Sequence, residues 1–258
     1  MIEVLEKYNL RNIHIIDNQS SYPPLLEYLA GLPYQVHYME KNYGHKVFFE
    51  AEEFRSVREN DYYVLTDPDV IPIDECPADF MDLFYNILKK HKFANKVGFS
   101  LKIDDLPDHY SLKSEVIEWE TAMIGKKISS APDLYKAYID TTFALYRPQK
   151  EWVGQKGKEF FAAVRTGYPY EARHLPWYKD LSKPTEEDIF YNKCDCGSGT
   201  WNGKKKANEI LRKNVYVYKL FNILPLIKCK VLPQKIYIFL FGFIPLFKII
   251  KKLRMRKK

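Results

Sequence analysis

The sequence predicts an α/β fold, a doubly wound and mostly parallel sheet flanked by helices, followed by a basic, amphipathic tail. Three observations predict it. Short apolar, β-branched runs alternate with helix-patterned segments through the first half of the chain, the spacing of βα units. One such run, Tyr62-Tyr63-Val64-Leu65, ends at Asp67-Pro68-Asp69, and ligands of open α/β sheets bind just beyond the carboxyl ends of strands. The charge is also divided: residues 1–209 carry 27 basic and 33 acidic side chains, whereas 13 cations and no acid follow Glu209. The expected division is therefore a domain at 1–205 and a membrane-associating tail at 206–258.

Taken in order, residues 2–9 have helical patterning and Asn12–Ile16 is a strand ending at Asp17-Asn18. Tyr22-Pro23-Pro24 opens a second helix, with proline in the first turn where its missing N–H costs nothing. Gly31-Leu32-Pro33 ends it. Gln35–Met39 alternates as a strand, Asn42-Tyr43-Gly44-His45 is a turn, and a helix is expected to about Glu59. The Asp-Pro-Asp strand follows, then a helix at 77–90 and a strand at Lys96–Ile103 that ends in the acidic loop Asp104-Asp105. A helix around Lys113–Glu120 and a strand at Ile139–Arg147 come next. The stretch Tyr168–Tyr178 reads as a loop. Thr185, with Asp188 three residues on, has the pattern of a capped helix start, and 197–206 has the composition of a linker.

Composition narrows the function classes. The chain has 258 residues, four of them cysteines at 76, 194, 196 and 229, and no disulfide framework is expected at that density. Cys194-Asp195-Cys196 lacks the spacing of a structural zinc site and reads as loop thiols. The N-terminus, with Glu3 and Glu6, lacks the apolar core of a signal peptide. An acidic body argues against a nucleic-acid partner, which would call for a basic face. In the tail, Ile236–Phe247 is an uncharged run of 12 residues interrupted by Gly242 and Pro245. A span needs about 20 apolar residues, so this run fits an interfacial segment on an anionic membrane, with clustered lysines adding electrostatic attraction.

The chemistry-bearing residues each have an ordinary reading too. Asp67 and Asp69 would converge past the strand if the segment stays extended, and oxygen ligands there suit a hard divalent cation, Mn2+ or Mg2+. Their ordinary reading is a turn. Glu187 and Asp188 are either a catalytic base or first-turn acids favoured by the helix dipole, and Asp104 and Asp105 are the rival bases, their ordinary reading a solvated loop. His174 is a metal ligand or a packed imidazole. Trp177 and Tyr178 stack on a sugar or pack beneath a loop, and Asp140 with Thr141 lies near the sheet's end.

Taken together, Ile15-Ile16-Asp17-Asn18, the Asn-Tyr-Gly-His turn, Leu65-Thr66-Asp67-Pro68-Asp69 and Thr185-Glu186-Glu187-Asp188 resemble the GT-A glycosyltransferases, a Rossmann-like fold. The resemblance is to the family-2-like bacterial enzymes of surface polysaccharide and lipopolysaccharide synthesis. It covers roughly residues 1–195. It implies transfer of a sugar, of hexosyltransferase type, from a nucleotide-sugar donor to a hydroxyl of a glycan or lipid-linked acceptor, at the cytoplasmic face of the plasma membrane. Asp67 and Asp69 match the metal-binding DxD, with Asp67 also near the donor, Asp17 and Asn18 match the nucleoside contacts, and His174 matches a late metal or diphosphate ligand. Glu187 and Asp188 match the acidic pair that supplies the base, and Asp140, Thr141, Trp177 and Tyr178 fall where the acceptor is expected. In that family a strand and an Asn-containing loop usually precede the first helix; here Met1 falls within what reads as that helix, so the strand either is missing or lies upstream of this sequence.

Two other functions compete. In a phosphohydrolase of the haloacid-dehalogenase type, Asp67 would be the nucleophile, Asp69 the acid/base, and Asp104-Asp105 the magnesium ligands. That fold places its nucleophile on its first strand, however, and two strands precede Asp67 here. The other is a non-catalytic, membrane-docked degenerate transferase.

Overall fold

The computed structural model describes residues 1–139, 142–152, 162–180 and 182–191, and the backbones of 192–193, 215–220, 224–231, 235–240 and 244–250. The chain opens with α1 (Ile2–Lys7), β1 (His14–Asp17), α2 (Pro23–Ala30) and β2 (Gln35–Tyr38), each close to where the sequence places it. β1 and β2 pair in parallel as a two-stranded sheet, with Ile16 opposite His37.

The single helix expected after Tyr43 is instead broken. A 3-10 turn at Gly44–Lys46 leads into α3 (Val47–Glu50), and a second at Glu52–Phe54 leads into α4 (Arg55–Asn60). The break falls at Ala51, whose backbone is extended. Arg58 stabilises it: the buried guanidinium donates to the carbonyls of Phe48 and Ala51 at 2.6 and 2.7 Å, acceptors that lie at the end of a helix. Burial lowers the pKa of that guanidinium below its ordinary value.

The main sheet is built from β3 (Tyr63–Leu65), β4 (Val70–Pro72), β5 (Lys96–Leu101), β6 (Ile124–Ser130), β7 (Asp133–Ala137), β8 (Ala144–Tyr146) and β9 (Ala163–His174). Helices α5 (Phe80–Lys90) and α6 (Lys113–Met123) interrupt the strands, and α7 (Glu186–Lys193) follows them. The strand order is β3-β8-β5-β9-β7-β6, with β4 also paired to β9. β5 and β9 are parallel, and β8 runs antiparallel between β3 and β5, so β3, β5 and β9 point the same way. The sheet is therefore mixed: three strands share one direction, but β5–β9 is its one parallel pairing among the described residues and the other five pairings are antiparallel, where a mostly parallel sheet was expected. The β6–β7 hairpin and β4 have no counterpart in the sequence reading, and β9 replaces an expected loop.

Two apolar layers sandwich the sheet. Val97, Phe99, Leu145 and Val164 face Phe84 and Leu88 of α5 and Val116 of α6 within one buried cluster. Alternate residues of the same strands, Tyr63, Ala144, Tyr146 and Ala163, form a second cluster with Phe48 and Phe54. Period-two alternation thus divides each strand between the two layers. Gly98 lets β5 and β8 close on each other, since a Cβ there would lie 2.5 Å from the Phe143 carbonyl oxygen and 2.8 Å from the Ala144 Cβ. Arg147 ties α5 to the sheet by donating to the carbonyls of Leu88 at 2.5 Å and Ala94 at 2.7 Å, as a cation does well at a helix C-terminus. Cys76 is a buried free thiol, pushed up to about 12 by burial.

In the tail, β10 (Val215–Leu220), β11 (Leu224–Val231), β12 (Lys235–Leu240) and β13 (Ile244–Ile250) form a sequential antiparallel sheet. The register pairs Lys230 with Tyr237 and Tyr237 with Lys248, which puts positions 228, 230, 235 and 248 on one face. No helix among the described residues is long and apolar enough to cross a membrane. The cysteine loop at 194–196 and the linker at 197–206 lie outside the described residues.

Candidate metal centre at the β3–β4 turn

β3 ends at Leu65, and the chain then turns at once into β4. The Val70 amide approaches the Asp67 carbonyl oxygen at 3.5 Å, closing Asp67-Pro68-Asp69-Val70 as a β-turn with aspartate first and proline second. The carboxylates therefore do not converge through an extended segment. Pro68 fixes its own φ in a turn, so the period-two argument fails at that residue.

What the turn does instead is deliver Asp69 to His174. β4 pairs antiparallel with the end of β9, Val70 opposite His174, and the Leu175 amide donates to the Asp69 carbonyl oxygen at 2.9 Å. Strand pairing thus fixes Asp69 beside the imidazole. His174 Nε2 lies 3.5 Å from Asp69 Oδ2, too long for a good hydrogen bond. Two ligand atoms at about 2.0–2.2 Å from one ion stand about 2.8–3.6 Å apart at bond angles of 90–110°. The observed gap meets that spacing.

Three neighbouring polar atoms here, Asp69 Oδ1, His174 Nδ1 and Trp177 Nε1, are buried without a hydrogen-bond partner. Such atoms are rare in a folded protein; the Asp69 oxygen is an acceptor that suits a cation, whereas the Trp177 N–H is a donor only. Burial lowers the His174 pKa below its ordinary value, outweighing the nearby Asp69 and Glu120 carboxylates that would raise it. The imidazole is consequently neutral at neutral pH and keeps the lone pair a metal needs. Among the described residues, no group of three His, Cys, Asp or Glu side chains converges as a complete cage. Asp69 and His174 have the donor types of a divalent-cation site as a partial set; Asp67, half-buried at the head of the same turn, forms no three-residue group with them.

The loop after β1 is knit to the loop after β2. Asp17 is buried and accepts the Ser20 amide at 3.3 Å, while Asn18 donates to Asn42 Oδ1 at 2.9 Å and the Gly44 carbonyl at 3.0 Å and accepts the Tyr43 amide. Gly44 has φ +67, which glycine adopts without strain. Ile16, just before Asp17, and Leu65, two before Asp67, pack against the same apolar cluster, so both loops leave a common base.

Several expectations change on contact with the geometry. Trp177 is 3% exposed and packs edge-on against His174 with ring centroids 4.8 Å apart, so it is a wall of the site and no sugar platform. Tyr178 gives its hydroxyl to Asp105 Oδ1 at 2.5 Å. Asp105 Oδ2 also takes Arg173 Nη2 at 2.6 Å and Nε at 3.0 Å. Burial would raise the Asp105 pKa, but the Tyr178 and Arg173 hydrogen bonds hold it below the usual carboxylate range. A carboxylate so engaged is a poor base and a poor magnesium ligand, which weakens the phosphohydrolase alternative. Asp188 behaves as a helix cap: it accepts the Thr185 amide at 3.0 Å and hydroxyl at 2.8 Å, and Lys179 binds its other oxygen at 2.8 Å. Lys179 first, and then Thr185, pull its pKa to about 2. Glu187, beside it on α7, is exposed. α7 itself leans on the start of α2 through Tyr22 and Phe190, whose rings are 5.0 Å apart. Asp140 and Thr141 lie outside the described residues.

Sequence reasoning missed Arg173, Tyr178's true partner, and the buried Glu120–Arg165 ion pair behind the site. The alternation Arg173-His174 was the available signal, since in a strand it sends one side chain to each face. Compared with protein-family models, curated proteins and solved structures, the chain matches none.

Proposed function

We propose that the protein is a metal-dependent glycosyltransferase that moves a sugar from a nucleotide-sugar donor to a hydroxyl of a glycan or lipid-linked acceptor. The observation that carries this reading is the Asp69–His174 pair, a carboxylate and a neutral imidazole with unpartnered buried atoms at the end of the strand where the resemblance puts a DxD. Asp69 and His174 would hold Mn2+ or Mg2+, with water and diphosphate oxygens in the remaining positions. Such a cation supplies neutralisation of the charge that develops on a leaving diphosphate.

The protein's own residues then have distinct tasks. Asp17 and Asn18 brace the loop that would face the nucleoside, through the bonds to Ser20, Asn42 and Gly44. Trp177 closes one side of the site and excludes water from His174. The base that removes the acceptor hydroxyl proton is assigned to Glu187, because its neighbour Asp188 is committed to the cap. The cationic tail supports docking on an anionic membrane surface, useful to an enzyme whose acceptor is lipid-linked.

A donor screen tests the reading. Purified full-length protein is incubated with UDP-, GDP- and other nucleotide-activated sugars and Mn2+, and nucleotide release is measured. Release from one donor, abolished by chelation and by Asp69→Asn, is the expected result. No release from any donor, with no metal-dependent nucleotide binding, would overturn it.

A further inference from the structure

A second cluster of metal-ligating side chains sits away from the β3–β4 turn, on the two-stranded β1–β2 sheet. His14 Nδ1 lies 3.1 Å from His37 Nε2, and His37 Nδ1 lies 3.1 Å from Glu53 Oε1. The ring centroids of the two histidines are 5.3 Å apart. His14 and Glu53 are exposed and His37 is half-buried, its ring edge-on to Phe54 at 5.2 Å. Nothing in the proposed transfer reaction uses these residues.

We propose that His14 and His37 form a two-imidazole site for a borderline divalent cation, of the class of Cu2+, Ni2+ or Zn2+. Two imidazole nitrogens on one ion, each at about 2.0–2.1 Å, stand about 2.9–3.4 Å apart at bond angles of 90–109°. The observed 3.1 Å falls inside that window. Parallel pairing sets the spacing, because Ile16 opposite His37 leaves His14 diagonal to His37. Glu53 supplies the outer partner found at most histidine ligands, a carboxylate that takes the other ring N–H and fixes the tautomer. With its proton on Nδ1, His37 presents the Nε2 lone pair towards His14.

The proton balance is simple. Without a cation, His14 Nδ1–H donates to His37 Nε2. To bind one, His14 moves its proton from Nδ1 to Nε2 through water, which its exposure allows, and both facing lone pairs become available. Among the described residues no third side chain completes a cage, so water takes the remaining positions. Imidazole ligation ranks Cu2+ above Ni2+ and Zn2+.

Cu2+ alone, titrated into the tag-free full-length protein in a non-coordinating buffer, tests this. The chain has six histidines, so affinity and spectrum must be read together. We expect one tight Cu2+ per chain whose electron paramagnetic resonance spectrum reports two imidazole nitrogens. His14→Gln and His37→Gln should each weaken binding at least tenfold, Glu53→Gln several-fold, and Asp69→Asn should leave it unchanged. Thermal melts without metal show that each variant is folded; His14, being exposed, is the variant that decides. Wild-type affinity in His14→Gln, a one-nitrogen spectrum, or loss of the tight site in Asp69→Asn alone would each overturn the proposal, the last leaving the β3–β4 reading intact.

Discussion

Replacing Asp105 with asparagine separates a structural clamp from a catalytic base. The wild-type carboxylate takes two N–H groups of Arg173 on one oxygen, at 2.6 and 3.0 Å, and the Tyr178 hydroxyl on the other, at 2.5 Å. Hydrogen bonds to a charged group contribute about 1.5–3 kcal/mol when well shielded. Here the Arg173 and Asp105 side chains are 30% and 31% exposed, so solvent screens part of that. Asparagine also keeps one acceptor oxygen. The expected loss is therefore about 1–2 kcal/mol, which for a domain of this size lowers Tm by about 2–8 °C. The loss should shrink in about 1 M salt, where the Debye length is only about 3 Å. Urea and thermal melts followed by circular dichroism, with turnover measured in parallel, provide the assay. An unchanged Tm with kcat reduced a hundredfold would refute the clamp and return Asp105 to the list of bases.

Glu120→Gln leaves Arg165, 2% exposed, without its carboxylate partner, and urea melts should show a loss of about 3–5 kcal/mol. Gly98→Ala must push a methyl group against the Phe143 carbonyl and should cost about 1–3 kcal/mol in the same melts. Burial depresses the His174 pKa in the folded state, so the unfolded chain takes up that proton first as pH falls. Stability from this group is complete above the unfolded value of about 6.5 and declines below it. Metal-dependent nucleotide affinity should decline at lower pH, once the folded imidazole protonates; a pH series of melts and nucleotide titrations checks both.

Much of the fold was legible where local signals agree. Pro23 in the first turn and Gly31 at the end bound α2 as expected, and Thr185 with Asp188 forms the cap its spacing suggests. The rest depended on contacts between distant residues. Nothing local announces that Arg58 will hold a broken helix by binding Phe48 and Ala51. β9 carries Gly167, Pro169 and four charged or histidine side chains, so it reads as a loop; it becomes a strand because β5, β7 and β4 supply its partners. Its register jumps from Thr166 opposite Phe99 to Glu171 opposite Ser100, and the alternation is lost at that bulge. At the site, Asp69 and His174 were legible as ligand types, but their meeting depends on β4 pairing with the end of β9. Trp177 could not be told from a surface aromatic until its burial was known.

The central claim is that the β3–β4 turn and the end of β9 hold a cation that binds a nucleotide diphosphate. Calorimetric titration of UDP and GDP into the full-length protein, with and without Mn2+, tests it most directly when repeated with Asp69→Asn and His174→Gln. The account predicts tight binding of one nucleotide only with Mn2+, weakened at least tenfold by Asp69→Asn and several-fold or more by His174→Gln, with both variants folded. Equal affinity with and without Mn2+, or wild-type affinity in folded Asp69→Asn, would contradict it.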